Sequence, residues 1–256
     1  MGRVATRVMA GKGWHVIMTV RNMQKGQTLL KELLEEQPNI SLELQELEMS
    51  SRESIQAFAE RMNGRQIDAL FHNAGIMQRN YTTTKEGIET TMAVNFLHSA
   101  LLINLLTPMF PKGAHIVNMV SLTTRFAHLD ISWPQWSPSR FQQLKTYSSS
   151  KLAFLLWTIA YKRHNPDLIV NVSDPGIVDS NMITMHRWYD PLADIFFRPF
   201  IKTPQQGVAP ALRALEATES LLYYVGGKNR SIPHKFLDNS LCDELYRQVN
   251  MICPTR

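Results

Sequence analysis

The run Tyr147-Ser148-Ser149-Ser150-Lys151 decides how this chain is read. Positions four apart on a helix share a face, so Tyr147 and Lys151 point the same way, the ammonium near the phenol. A neighbouring positive charge favours the phenolate and is expected to lower the tyrosine pKa from about 10 towards the working pH. Such a phenol exchanges a proton with an alcohol or ketone oxygen. Taken alone, the pair reads also as an ordinary i,i+4 contact on a surface helix. The flanks decide between the two. Upstream, Ile116-Val117-Asn118-Met119-Val120 reads as a buried strand that ends at Ser121. Downstream, Ala153-Phe154-Leu155-Leu156-Trp157 continues an apolar helix and keeps Tyr147 near a core.

Three further stretches lie around this run. Asn73-Ala74-Gly75 follows a strand at Asp68-Ala69-Leu70-Phe71, Asn95 sits inside Val94-Asn95-Phe96-Leu97, and Pro175-Gly176-Ile177-Val178 follows a strand at 168–172. A strand ending in Ser, then Tyr-x-x-x-Lys on a helix, with these three in this order, resembles the short-chain dehydrogenase/reductase family over nearly the whole chain. Each motif is loose by itself; the set is specific. The resemblance implies a Rossmann-like, three-layer α/β fold with a doubly wound parallel sheet. It implies a catalytic set of Asn95, Ser121, Tyr147 and Lys151. Tyr147 would exchange the proton, Ser121 position the substrate oxygen, Lys151 lower the Tyr147 pKa and bind the nicotinamide ribose, and Asn95 hold a water relay. Cofactor contacts are implied at Asn73, Ala74, Gly75, Tyr147, Lys151, Pro175, Gly176, Val178 and Ser180. Asp174, before Pro175, departs from the more usual His or Asn.

Composition agrees with one α/β domain spanning 1–256. The 256 residues can bury a full core, and 44% hydrophobic with 19% charged is ordinary for a globular protein. The 27 basic against 22 acidic side chains give a formal charge of +5 without a basic block, so nucleic acid is not expected as a partner. The excess suits an anionic dinucleotide. Two cysteines, Cys242 and Cys253, make neither a metal site nor a disulfide framework, and a cytoplasmic protein is expected. No apolar run reaches the ~18 residues of a membrane span, 153–161 being the longest candidate.

At the chain start, Val4, Val8 and Met9 recur at helical spacing, and Gly11 and Gly13 end that helix before a buried strand at 14–20. In the resembled family a first strand and a glycine loop precede this helix. The spacing makes Gly2 the last glycine of that loop, which gives backbone N–H groups to the cofactor pyrophosphate. The expectation is therefore a truncated N-terminus, with a strand and loop of about 10–20 residues missing upstream. The missing strand would be central, in the family order 3-2-1-4-5-6-7. Arg21 follows the strand at 14–20. A carboxylate there would hold the ribose of NAD, whereas Arg accommodates the 2′-phosphate of NADP, so NADP(H) is expected ahead of NAD(H). After a helix at 23–37 and a strand at 41–47, Glu48-Met49 occupies the place of the family's adenine-contacting pair.

Further along, a helix at 50–62 opens with Ser50 or Ser51 as cap, and His72 reads as packed beside the cofactor. A long helix at 85–109 carries Asn95 on its apolar side. The insert 122–144, with Phe126, Trp133, Trp136 and Phe141, resembles the branch containing retinol dehydrogenases and protochlorophyllide reductase. It could shape an apolar pocket or cover the core as a flap. Residues 177–201, rich in Met and aromatic side chains, read as a substrate lid over a lipophilic small molecule. The tail gives a helix at 204–217, a strand at 221–225 and a short helix near 242–249. The functional expectation is an NADP-dependent oxidoreductase interconverting a lipophilic alcohol and its ketone or aldehyde, possible as a homo-oligomer. The alternative is a non-catalytic binding or regulatory protein of the same fold.

Overall fold

Apolar strands alternating with helices generate a three-layer, Rossmann-like α/β sandwich in the computed structural model, which describes residues 1–178 and 202–254. Its strands are β1 (His15–Val20), β2 (Ser41–Glu46), β3 (Ala69–His72), β4 (His115–Met119), β5 (Ile169–Asp174), β6 (Leu222–Val225) and β7 (Lys228–Ser231). The helices are α1 (Gly2–Gly11), α2 (Met23–Glu36), α3 (Arg52–Met62), α4 (Thr90–Met92), α5 (His98–Leu106), α6 (Gln143–His164), α7 (Pro204–Ala214), α8 (His234–Leu237) and α9 (Leu241–Ile252). All pairings are parallel except β6 with β7, an antiparallel edge absent from the sequence expectation.

The side chains of β4 show how the layers are filled. Ile116 joins the larger apolar cluster beneath α3, α5, α6 and α9, whereas Val117 and Met119 join the cluster beneath α1 and α7. Strand alternation sends neighbours to opposite faces, which is why this strand carries apolar residues on both. Asn118 faces α6, where Nδ2 donates to Thr158 Oγ1 at 2.9 Å while Oδ1 is buried without a partner among the described residues.

The sheet is divided. β1 pairs only with β2, and β3, β4, β5, β6 and β7 form a separate five-stranded sheet in that order. The inner edges of β1 and β3 therefore hold no strand partner among the described residues. This break falls where the family order would place its first strand.

Two sequence expectations need correction. The helix expected at 85–109 starts five residues late: Gly87 takes a left-handed φ of +79°, and Glu89 then caps α4 by accepting from Thr91 N and Met92 N. The same rod, Thr90–Met109, is long and apolar enough to cross a bilayer, contrary to the expectation of no such run. Here 72% of its most apolar window is buried inside the fold, which places it as a core helix of this domain.

Candidate active site

Ser121 follows the end of β4, and Val120 N is tied to Ser173 O at 2.9 Å, which aligns that end with β5. The Ser121 hydroxyl accepts from Thr123 N at 3.3 Å and Thr123 Oγ1 at 3.1 Å, capping the turn Leu122–Arg125. Helix α6 brings the half-buried Tyr147 to face Ser121 and places Lys151 one turn on. Lys151 is 3% exposed, and its Nζ donates to Met119 O at 2.9 Å. Burial pulls its pKa down to about 8.

These contacts overturn the expected pKa logic. Burial holds the Tyr147 phenol above its ordinary value; the Ser121 hydroxyl pulls it down, and the negative charge of Asp174 pushes it up. Burial is the largest of these causes, and the Lys151 ammonium is directed at the carbonyl of Met119. Spacing placed the two side chains on one face but did not set the direction of the amine.

Asn95 occupies a π-helical turn, Ala93–Leu97, between α4 and α5. Such turns re-aim one side chain out of a helical ladder. Its Oδ1 accepts from Ile76 N at 2.8 Å, and its Nδ2 donates to Ile76 O at 2.8 Å and Ser150 Oγ at 3.0 Å. A Cβ built on Gly75 would meet Lys151 Nζ at 3.2 Å and Asn95 Oδ1 at 3.3 Å. Gly75 is thus where β3, the π turn and α6 meet, and the missing side chain keeps that meeting point open.

The residues expected to contact the cofactor form a second group. Gly2 begins α1, and a Cβ there would lie 3.4 Å from Asn73 Nδ2. Asn73 Oδ1 is buried without a hydrogen-bond partner, a group suited to a polar ligand atom. Ala74 packs on the main core. Arg21 is exposed after β1, with no ion pair among the described residues. Glu48 is engaged locally: Oε1 accepts from Ser50 N and Ser50 Oγ, both at 2.9 Å, which fixes the turn into α3. Met49 is buried, and its carbonyl accepts from His98 Nδ1 at 2.8 Å. The orphaned Asn73 oxygen and the glycine openings fit a nicotinamide dinucleotide. His72 packs on Phe154 with ring centroids 5.1 Å apart, and burial with the nearby Lys151 charge takes its pKa to about 3. It stays neutral and is no base.

The turn after β5 joins residues singled out in the sequence to one that sequence reading missed, Lys202. Gly176 has φ +73°, and its N–H donates to Asp174 Oδ1 at 2.8 Å. Lys202 Nζ donates to Pro175 O at 3.2 Å, and Lys202 N donates to Ile177 O at 2.8 Å. Val178 is buried beside Gly207, where a Cβ would lie 2.4 Å from Val178 Cγ2. Ser180 and the rest of the expected lid, 179–201, lie outside the described residues. Lys202 carried no local signal, its role arising only when 178 and 202 pair across that segment.

The insert 122–144 divides between core and surface. Trp133 is fully buried, edge-on to Phe96 at 5.1 Å, and donates to Gln248 Oε1 at 2.9 Å, so this part covers the core. Phe126, 88% exposed, instead borders an open cleft of about 1070 Å³ with Thr123, Phe141, Leu144 and Ser148. Thr123 and Ser148 adjoin Ser121 and Tyr147, and polar side chains, Arg79, Asn80, His128, Gln142, Gln143 and Lys145, join the lining.

Residues 1–188 match the family model described as short chain dehydrogenase. Among curated proteins, mouse (Mus musculus) retinol dehydrogenase 13 is 28% identical over 239 residues, 89% of this chain and 71% of that protein. Retinol dehydrogenase 12 of Bos taurus is 30% identical over 218 residues, 83% of this chain and 68% of that protein. Among solved structures, an uncharacterized protein from Mycobacterium Paratuberculosis superposes with a TM-score of 0.77 at 24% identity, covering 100% of this chain and 91% of that one. The angucycline C-6 ketoreductase LanV, solved with bound NADP, gives 0.64 at 20% identity over 85% and 84% of the two chains. With the residue set just described, these matches place the chain in the short-chain dehydrogenase family, in its retinol dehydrogenase-like branch.

Proposed function

We propose that this protein is an NADP(H)-dependent oxidoreductase that reduces a lipophilic aldehyde or ketone to its alcohol, and catalyses the reverse reaction at higher pH. The observation that carries the reading is the convergence of Lys151, Asn95 and Gly75, with Tyr147 and Ser121 one helical turn away. When bound, the reduced nicotinamide supplies the hydride. Asn73, Gly75 and Lys151 would hold its ribose and amide half, and Gly2 with the N-terminus of α1 its pyrophosphate. Ser121 orients the substrate carbonyl oxygen. Tyr147 Oη gives its proton to that oxygen as the alcohol forms, and solvent re-protonates the phenolate. Lys151 supplies positive charge where the phenolate develops, and Asn95 fixes the backbone of Ile76 behind it. Phe126, Phe141 and Leu144 favour an apolar substrate body.

Arg21 supports the choice of NADP(H), since a guanidinium without an ion pair among the described residues at this strand end suits a 2′-phosphate. Arg21→Ala is expected to weaken NADPH by about 1.5–3 kcal/mol and NADH far less, the scale of a charged hydrogen bond. Fluorescence titration of both cofactors measures it. Equal losses would remove Arg21 from cofactor choice, and no NADPH binding by the wild type would favour a non-catalytic protein of the same fold.

The divided sheet enters the same reading. We place one further parallel strand between β1 and β3 of the working enzyme, because both inner edges hold no strand partner among the described residues. Hydrogen exchange on protein from its native source should then show slow amides along both strands. Fast exchange on both edges would exclude the added strand.

A further inference from the structure

Helix α6 opens inside the cleft. Gln142, its cap residue, and Gln143, Leu144 and Lys145, its first turn, all line the opening beside Ser121 and Tyr147. These positions face different ways. Leu144 is three residues before Tyr147 and shares its side of the helix, whereas Lys145, two residues before it, lies roughly half a turn round. Phe126 and Phe141 add further apolar lining, and much of it is open to water: Phe126 is 88% exposed and Leu144 55%. A second opening of about 620 Å³ shares His128, Gln142 and Lys145 with the first, so Lys145 stands where the two meet. Moving outward from Tyr147, the helix end thus presents an apolar side chain first and a cationic one beyond it. We propose that the cleft selects carbonyl substrates with an apolar body and a carboxylate at the end remote from the carbonyl, with Lys145 as the residue that reads that charge. This rests on the oxidoreductase reading above and deepens it by naming the substrate class.

The charges of the cleft support the assignment. The first opening is lined by Arg79 and Lys145 and by no carboxylate among the described residues. The carboxylate of the second, Asp130, is already engaged: Oδ1 accepts from Ser132 N at 2.9 Å and from Ser132 Oγ at 2.8 Å, and Oδ2 pairs with Arg140. Three and four residues from Lys145 lie Phe141, Gln142, Ser148 and Ser149, so its own helix face offers no acidic partner. Lys145 is exposed and forms no ion pair among the described residues. A carboxylate brings two acceptor oxygens, which Lys145 meets with charge and the amides of Gln142 and Gln143 with N–H donors. The apolar body of such a substrate covers Phe126 and Leu144, removing their surface from water. An α-oxo acid carries its charge next to the carbonyl, on the Leu144 side, and would not reach Lys145.

Steady-state reduction by NADPH of a medium-chain ω-oxo fatty acid, its methyl ester and the alkanal of equal length tests the assignment. The wild type should favour the acid over the ester about fivefold in kcat/KM at low ionic strength, mostly through KM, the upper scale of an exposed ion pair. The preference should fade at ~1 M salt, where charges are screened within about 3 Å. Lys145→Gln should abolish it and Lys145→Glu should reverse it. Lys112→Gln removes the same overall charge at the far end of β4 from Ser121, and should keep it. Turnover of alkanal and ester without preference for the acid, or a preference that survives Lys145→Gln, would overturn the role of Lys145 and leave the oxidoreductase reading intact. A preference lost equally in Lys112→Gln would assign it to overall charge and overturn the site as well. No turnover of any probe and no NADPH binding would instead overturn the oxidoreductase reading. Tryptophan fluorescence titration with a medium-chain fatty acid and its methyl ester then decides the charge: tighter binding of the acid that is lost in Lys145→Gln would support the site, and equal binding of the two would refute it.

Discussion

Tyr147→Phe is expected to lower turnover by ~10²-fold or more while leaving NADPH binding in place, because it deletes one proton donor and keeps the ring. The argument is geometric first. Tyr147 is the acidic side chain that faces Ser121, and both stand beside the cleft bordered by Thr123 and Ser148. His72 is buried and neutral with its pKa near 3, so it cannot replace the lost phenol. Lys151 Nζ is committed to Met119 O. No other group in the described site offers a proton to the same oxygen. The wild-type phenol is held above its ordinary value, so its reductase activity should be flat through neutral pH and fall only in the alkaline range. Single-turnover NADPH oxidation with an apolar aldehyde, followed at several pH values for both proteins, measures the loss. Near-normal turnover in the variant would remove Tyr147 from the chemistry.

Much of this site could be read from residue order, because its members sit at element ends that local patterning marks. Ser51 caps α3 by accepting from Ser54 N at 3.1 Å, as its position before Glu53 suggests. Ser121 lies at the end of a continuous apolar strand, and Tyr147 and Lys151 lie on an apolar helix. What escaped was set by contacts distant in sequence. Tyr223 and Asp174 are 49 positions apart and meet only because β5 and β6 pair. Strand β7, Lys-Asn-Arg-Ser and fully exposed, has no apolar residue to announce it, and exists because β6 offers an edge. The late start of α4 hides in the competition between a good helical pattern and Gly87, whose positive φ breaks it. The direction of the Lys151 amine was hidden for another reason. Periodicity fixes which face a side chain is on, and a flexible four-carbon stem then chooses among acceptors on that face.

Lys151→Met should make the cofactor-free protein more stable at pH 7 and inactive. In the fold the ammonium is 3% exposed with one carbonyl partner, and its pKa falls to about 8 from an ordinary 10.5. The charged form is thus disfavoured by folding. Below pH 8 the lysine is protonated in both states, and the folded state carries the whole penalty. Between pH 8 and 10.5 the unfolded chain still binds a proton that the folded one has released, so stability rises with pH across that window. Above it the penalty is gone. About 2.5 pH units at ~1.4 kcal/mol each give a penalty of roughly 3 kcal/mol at pH 7. Methionine fills a similar volume without charge, but leaves Met119 O without its donor, a loss of about 1 kcal/mol. The expected net gain is ~1–3 kcal/mol at pH 7, vanishing by about pH 10.5, measured by urea unfolding of both proteins across pH. A variant less stable at pH 7, or a gain that persists unchanged at pH 10.5, would show that Lys151 is an ordinary structural residue. Under the proposed function, the phenolate developing on Tyr147 and a bound ribose would supply the partners that this buried charge lacks in the empty fold.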